Sequence, residues 1–223
     1  MKHVDQLERG SPGHELQGAV SDLMYQLRIP DLPPSRLSSL HMRLGRALAC
    51  VNGNQREARE ALDRALGTSG LSPFAEAALG GDVAIGLSRL GHHAQADRLL
   101  REAAEAMARW SPLFRAQFLG RQTQTAVRAD KPALAVHHMH SLTRALPFVS
   151  SARVNTRVTE ILTATAKWDR TPDVRTAREH LRSMLPAESF RLTKFSFSFR
   201  KSAGAAEAEE VADDIFAEPV RAR

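Results

Sequence analysis

Gly53-Asn54-Gln55-Arg56-Glu57-Ala58 and, 38 residues further on, Gly91-His92-His93-Ala94-Gln95-Ala96 are two versions of one turn. Each follows a small residue set among apolar ones, Gly45 in the first copy and Ala84 in the second. Each leads into a helix-spaced run, Leu62 with Ala65-Leu66 in one case and Leu99-Leu100 with Ala103 in the other. A glycine stops one helix, and apolar residues three and four apart begin the next. Recurrence at this interval is the mark of stacked helical hairpins, which need neighbours to bury their apolar faces.

The pattern extends outward from these two turns. Ser72-Pro73 and Ser111-Pro112 both read as a cap followed by a first-turn proline. Between residues 129 and 132 the turn is Ala129-Asp130-Lys131-Pro132, with Asp130 placed 39 residues after Gly91 and no glycine. Ala135, Met139 and Leu142 then fall where Ala96, Leu100 and Ala103 fall in the copy before. The spacing predicts helices over residues 15–28, 35–51, 55–66, 72–90, 94–109, 113–128, 133–145, 151–168 and 173–185. Pro30, Pro33 and Pro34 close the first, Ser35 caps the second, and Ser150 or Ser151 caps the eighth.

Three regions follow: an N-terminal arm and helix (1–34), a helical repeat domain (35–186), and a Phe-rich segment with an acidic tail (187–223). Phe195, Phe197 and Phe199 alternate with serine, a strand-like period. That segment reads either as an arm laid over the stack or as a strand pairing two copies into a homodimer. Residues 202–223, rich in alanine and glutamate, read as disordered, as do residues 1–13. Within the tail, Val211 to Glu218 mixes acidic and apolar residues in the manner of a docking motif.

Composition narrows the function classes. Aromatic residues make up 5% of the chain, and alanine, leucine and arginine dominate, which suits close helix packing better than a sheet. Cys50 stands alone, so neither a disulfide framework nor a cysteine metal site is expected, and a reducing cytoplasm is the simplest setting. There is no apolar run of membrane-spanning length, and no membrane association is expected. The net charge of +6 is uneven: residues 201–223 carry three basic and six acidic side chains, whereas residues 153–201 carry eleven basic and five acidic ones. A basic body with an acidic tail attracts an anionic partner, or its own tail.

Enzymatic signatures are missing: there is no Gly-x-Ser-x-Gly elbow, no phosphate-cradling glycine loop and no His-Glu-x-x-His. Cys50 and His41 lie about 13 Å apart along one helix, too far for a nucleophile and its base. His137, His138 and His140 cluster without a carboxylate or cysteine at ligand spacing, so they read as exposed or packing histidines. No cofactor is expected. Direct nucleic-acid contact would fall to Arg153, Arg157, Lys167, Arg170, Arg175, Arg178 and Arg182. Without a recognition helix or paired aromatic platform, it would be weak, non-specific and salt-sensitive.

The two clear copies resemble the tetratricopeptide repeat. Gly45, Gly53, Ala58 and Ala65, and then Ala84, Gly91, Ala96 and Ala103, stand where that family places its small crossing residues and its turn glycine. The first copy has one extra residue between Gly45 and Gly53, and leucines such as Leu48 and Leu62 replace the family's aromatics. The stretch from Ser150 to Arg157, and that from Pro172 to Leu181, resemble the C-terminal repeat region of actinobacterial helix-turn-helix transcriptional regulators. Arginine outnumbering lysine, 26 to 5, fits that source. Residues 1–34 are too short and proline-rich for that family's DNA-binding domain.

The resemblance implies an all-α, right-handed solenoid of three helical hairpins, preceded by one helix and closed by two more. It also implies that the first helix of each pair lines an inner groove. Carrying the register over puts Met42, Arg46, Ala49 and Cys50 there in the first pair, Ile85, Ser88 and Arg89 in the second, and Gln124, Val127 and Arg128 in the third. Arg46, Arg89 and Arg128 would form a basic row able to fork onto a partner's carboxylates. The expected role is a non-catalytic protein- or peptide-interaction module, regulatory and linked to transcription, with Met42, Arg46, Arg89, Gln124 and Arg128 meeting an acidic partner. The alternative is a sensor of a small molecule or peptide signal.

Overall fold

A computed structural model describes residues 12–186 apart from Asn52. The N-terminal arm, the Phe-rich alternation and the acidic tail, with the expectations attached to them, lie outside the described residues.

Why helices form where they do is largely a matter of caps and prolines. Ser72, Ser111 and Ser151 sit at extended backbone, and each hydroxyl accepts from the amide three residues on, Ala75, Phe114 and Val154 respectively, at 3.3–3.4 Å. Pro34, Pro73, Pro112, Pro132 and Pro172 occupy first-turn positions, where a missing N–H costs nothing. Ser35 is not a cap: Pro33 takes that place, the helix already begins at Pro34, and the carbonyl of Ser35 accepts from the Ser38 hydroxyl.

The described residues form α1 (Pro12–Gln26), α2 (Pro34–Leu48), α3 (Gln55–Leu66), α4 (Pro73–Arg89), α5 (His93–Met107), α6 (Pro112–Arg128), α7 (Pro132–Ala145), α8 (Ala152–Ala164) and α9 (Pro172–Ser183). Two short 3-10 stretches, Leu146–Phe148 and Thr165–Trp168, extend α7 and α8. There is no strand among them, so the fold is all-α. The turns that join α2 to α3, α4 to α5 and α6 to α7 all need a left-handed residue. Gly53 and Gly91 supply it at φ 89° and 84°, and Asp130 does so at φ 52°. The missing third glycine is therefore a change of residue and not of turn.

Pairing follows chain order: α2 packs on α3, α4 on α5, and α6 on α7. The first helices also pack in series, α2 on α4, α4 on α6 and α6 on α8. At the C-terminal end α9 packs on α7 and on α8, so these two helices continue the pairing in the manner of a fourth couple. Gly45 shows why small residues recur at the crossings: a Cβ there would lie 2.6 Å from Leu62 Cγ.

The apolar interior falls into two adjoining clusters. A larger one runs from Leu62 and Val83 through Leu100, Met107 and Met139 to Ile161 and Leu181. A smaller one, around Leu23, Leu40, Ala47 and Ala58, seats α1 against α2 and α3, and Leu90 touches both. Phe74 meets Trp110 and Phe114 edge-on at 5.8 and 5.9 Å, tying the start of α4 to the entry of α6.

Candidate functional site: the first-helix seam and a cleft behind it

Each first helix meets the next through polar side chains about one repeat apart. Between α2 and α4, Arg46 Nη1 lies 3.5 Å from Asp82 Oδ1, and Arg89 Nη1 donates to Cys50 Sγ at 3.0 Å. Cys50 Sγ in turn donates to the carbonyl of Arg46 at 3.4 Å. Between α4 and α6, the Thr125 hydroxyl donates to Ser88 Oγ at 3.0 Å. Between α6 and α8, Gln124 Nε2 donates to Glu160 Oε2 at 3.0 Å, while its Oε1 accepts from Arg121 at 3.2 Å and Arg157 at 2.9 Å. Partners on different helices here stand 33 to 39 residues apart, close to the interval between the turns.

This seam is where the predicted site residues lie, but they are not all open to a partner. Met42 is 8% exposed and belongs to the larger core; Arg46 is only 2% exposed. The reason is that α4 lies directly on α2, so this register faces the neighbouring first helix. Ile85 and Ser88 are buried for the same reason. Arg46 therefore acts inside the stack, as a correction to its expected place in an open basic row. Arg89, Gln124 and Arg128 are half-buried, with Val127, Ala49 and Cys50 beside them. Burial, and then the charge of Arg46, push the Arg43 guanidinium below its ordinary pKa.

A second polar assembly lies between α5, α6 and α7, around a cleft of about 520 Å³. On its floor, Asp97 Oδ1 lies 2.8 Å from His138 Nε2 and 3.3 Å from Gln122 Nε2, and Arg101 Nη2 donates to Oδ2 at 3.1 Å. His138 makes the shortest of these contacts. That contact does most to hold the Asp97 carboxyl below its usual range. Burial opposes it, and the charges of His138 and Arg101 and the amide of Gln122 reinforce it. His138 is 5% and Gln122 2% exposed. The histidine group in α7 thus divides: His137 stands edge-on to His138 at 5.4 Å, whereas His140 turns toward His180 at 6.2 Å.

Sequence reasoning missed this assembly, although the repeat register carried a signal for it. Aligning Gly45 with Ala84 places Gln122 where the earlier copies have Leu44 and Val83, and aligning the turns at Gly53, Gly91 and Asp130 places His138 where they have Ala61 and Leu99. Polar residues at apolar repeat positions are the mark that was overlooked. Gln122 and Gln124 also lie about 200° apart around α6, so the cleft opens on the opposite side from the seam.

No family model matches the chain, and no curated protein matches it. Among solved structures it is similar to BtubC (BKLC) from P. vanneervenii, with 14% identity, a TM-score of 0.51, and coverage of 94% of this chain and 93% of that one. At that identity the likeness is one of fold alone, and the class it agrees with is all-α. No helix among the described residues is long and apolar enough to cross a membrane.

Proposed function

We propose that this chain is a tetratricopeptide-like, right-handed helical solenoid that serves as a non-catalytic protein- or peptide-interaction module in the cytoplasm, regulatory and linked to transcription. The observation that carries the reading is the seam: polar contacts recur from α2 to α4, α6 and α8 at repeat spacing, which is how a stack of equivalent hairpins holds its register. Stacked pairs present extended surfaces, and such surfaces serve binding more often than chemistry. Arg89, Gln124 and Arg128, half-buried along α4 and α6, are the residues offered to a partner's acidic groups, with Val127 beside them for burial. Arg46 and Met42 hold that surface from beneath.

The test is binding of short acidic-apolar peptides to the full chain, followed by fluorescence anisotropy at low and high salt. Affinity that falls with salt, and that drops about tenfold or more in Arg89→Glu with Arg128→Glu, is the expected result. Peptides that bind equally well to the charge-reversed chain, or not at all, would remove the support.

A further inference from the structure

The cleft behind the seam has the composition of a built site. Its floor consists of Asp97, Gln122 and His138, whose side chains are largely withdrawn from water; Gln122 and His138 would be aliphatic if α6 and α7 followed the earlier repeats. Polar groups buried there in place of apolar ones cost packing stability, which points to their being kept for a purpose. At the mouth stand Arg115 and Arg144, both exposed. Neither has an ion-pair partner among the described residues; Arg144 donates only to the Ser141 hydroxyl, at 3.2 Å. Glu105 is the other carboxylate in the lining and has no ion-pair partner among the described residues, whereas Asp97 is held by Arg101 and His138. The volume, about 520 Å³, falls within the range for small-molecule sites.

We propose that this cleft binds a small polar organic oxyanion, a carboxylate or a phosphate ester. Arg115 and Arg144 take the anionic group, for which paired guanidiniums are the matching donors. The Gln122–His138–Asp97 floor supplies donors and acceptors to the polar body of the ligand. Because the cleft opens on the far side of α6 from Gln124, this inference does not depend on peptide docking at the seam.

The experiment titrates inorganic phosphate and, separately, citrate into the full chain by calorimetry, with the imidazole resonances of His137 and His138 followed by NMR to localise binding. At least one probe is expected to saturate a single site and shift those resonances. Phosphate alone would mark a phosphate ester as the ligand class, and citrate alone a carboxylate. Arg115→Gln with Arg144→Gln, both on the surface and neutral to folding, is expected to weaken binding about tenfold or more, and Glu105→Gln to tighten it. Circular dichroism confirms that each variant is folded. The proposal fails if neither probe saturates, if the histidine resonances stay still, or if the double arginine variant binds as tightly as the parent chain.

Discussion

Gly80 and Gly81 are neighbours in α4, and the packing assigns opposite signs to the same substitution at the two sites. A Cβ on Gly80 would meet nothing within 4 Å, whereas one on Gly81 would lie 2.3 Å from Phe118 Cε1 and 2.4 Å from Cζ. Gly80→Ala therefore gains only the helix preference of alanine and the lower entropy of the unfolded chain, about 0.5–1 kcal/mol. Gly81→Ala gains the same and then has to displace the Phe118 ring. That ring is 4% exposed and stands 6.3 Å from Phe114, which is itself edge-on to Phe74, so it has little room to give. Overpacking of this kind costs roughly 1–3 kcal/mol, and a rigid ring at 2.3 Å belongs at the upper end, which leaves Gly81→Ala destabilised by about 2 kcal/mol net. For a chain of this size each kcal/mol moves the melting midpoint by about 2–4 °C. Thermal melts by circular dichroism should show Gly80→Ala above the parent and Gly81→Ala below it. Two shifts of the same sign would refute the packing of α6 against α4 described here.

Other consequences follow from the turn, the seam and the cleft. Asp130→Ala should cost about 1 kcal/mol, because alanine resists the left-handed φ of 52°, while Asp130→Gly should sit close to the parent; chemical denaturation measures both. Gln124→Leu removes the amide shared by Arg121, Arg157 and Glu160, and losing these hydrogen bonds between α6 and α8 should lower stability by about 1–3 kcal/mol in the same assay. Asp97 titrates below its unfolded value in the fold, so its contribution is full above about pH 4 and is lost as the pH falls through the lower, folded pKa. Asp97→Asn should accordingly flatten the acid limb of a plot of stability against pH; an unchanged limb would show that the carboxylate is not held by His138. His41 and His93 are pushed down, chiefly by burial, so the fold resists their protonation and loses stability as the pH falls below about 6.5, a loss that denaturation at stepped pH measures.

How much of this was legible beforehand depends on which forces set each feature. Local chemistry sets helix ends, and Ser72 and Ser111 with their following prolines, and Ser151 by its hydroxyl alone, mark them within a residue or two. Ser35 misleads because Pro34 serves as the first helical residue, which moves the start upstream and leaves the cap position to Pro33. The turn at Asp130 kept its spacing without its glycine, since aspartate tolerates the left-handed region better than most residues. Exposure was harder to foresee. Whether Arg46 faces solvent or a neighbour depends on how closely α4 approaches α2, a tertiary distance that periodicity does not contain. The cleft was hidden for the same reason, as Asp97, Gln122 and His138 come from three helices and meet only once these pack. The last pair, α8 with α9, read as capping helices, but in contact terms it extends the series onto α6 and α7.

The stacking of first helices in register is the claim on which both the seam and the proposed role rest. A chain carrying Ser88→Cys and Thr125→Cys, with Cys50→Ser to leave no other thiol, probes it directly, since the parent hydroxyl oxygens are 3.0 Å apart across α4 and α6. The account predicts that refolding under mild oxidation closes this bond nearly completely and raises the melting temperature. Thiols that stay free in the folded monomer, or that pair only between molecules, would contradict it.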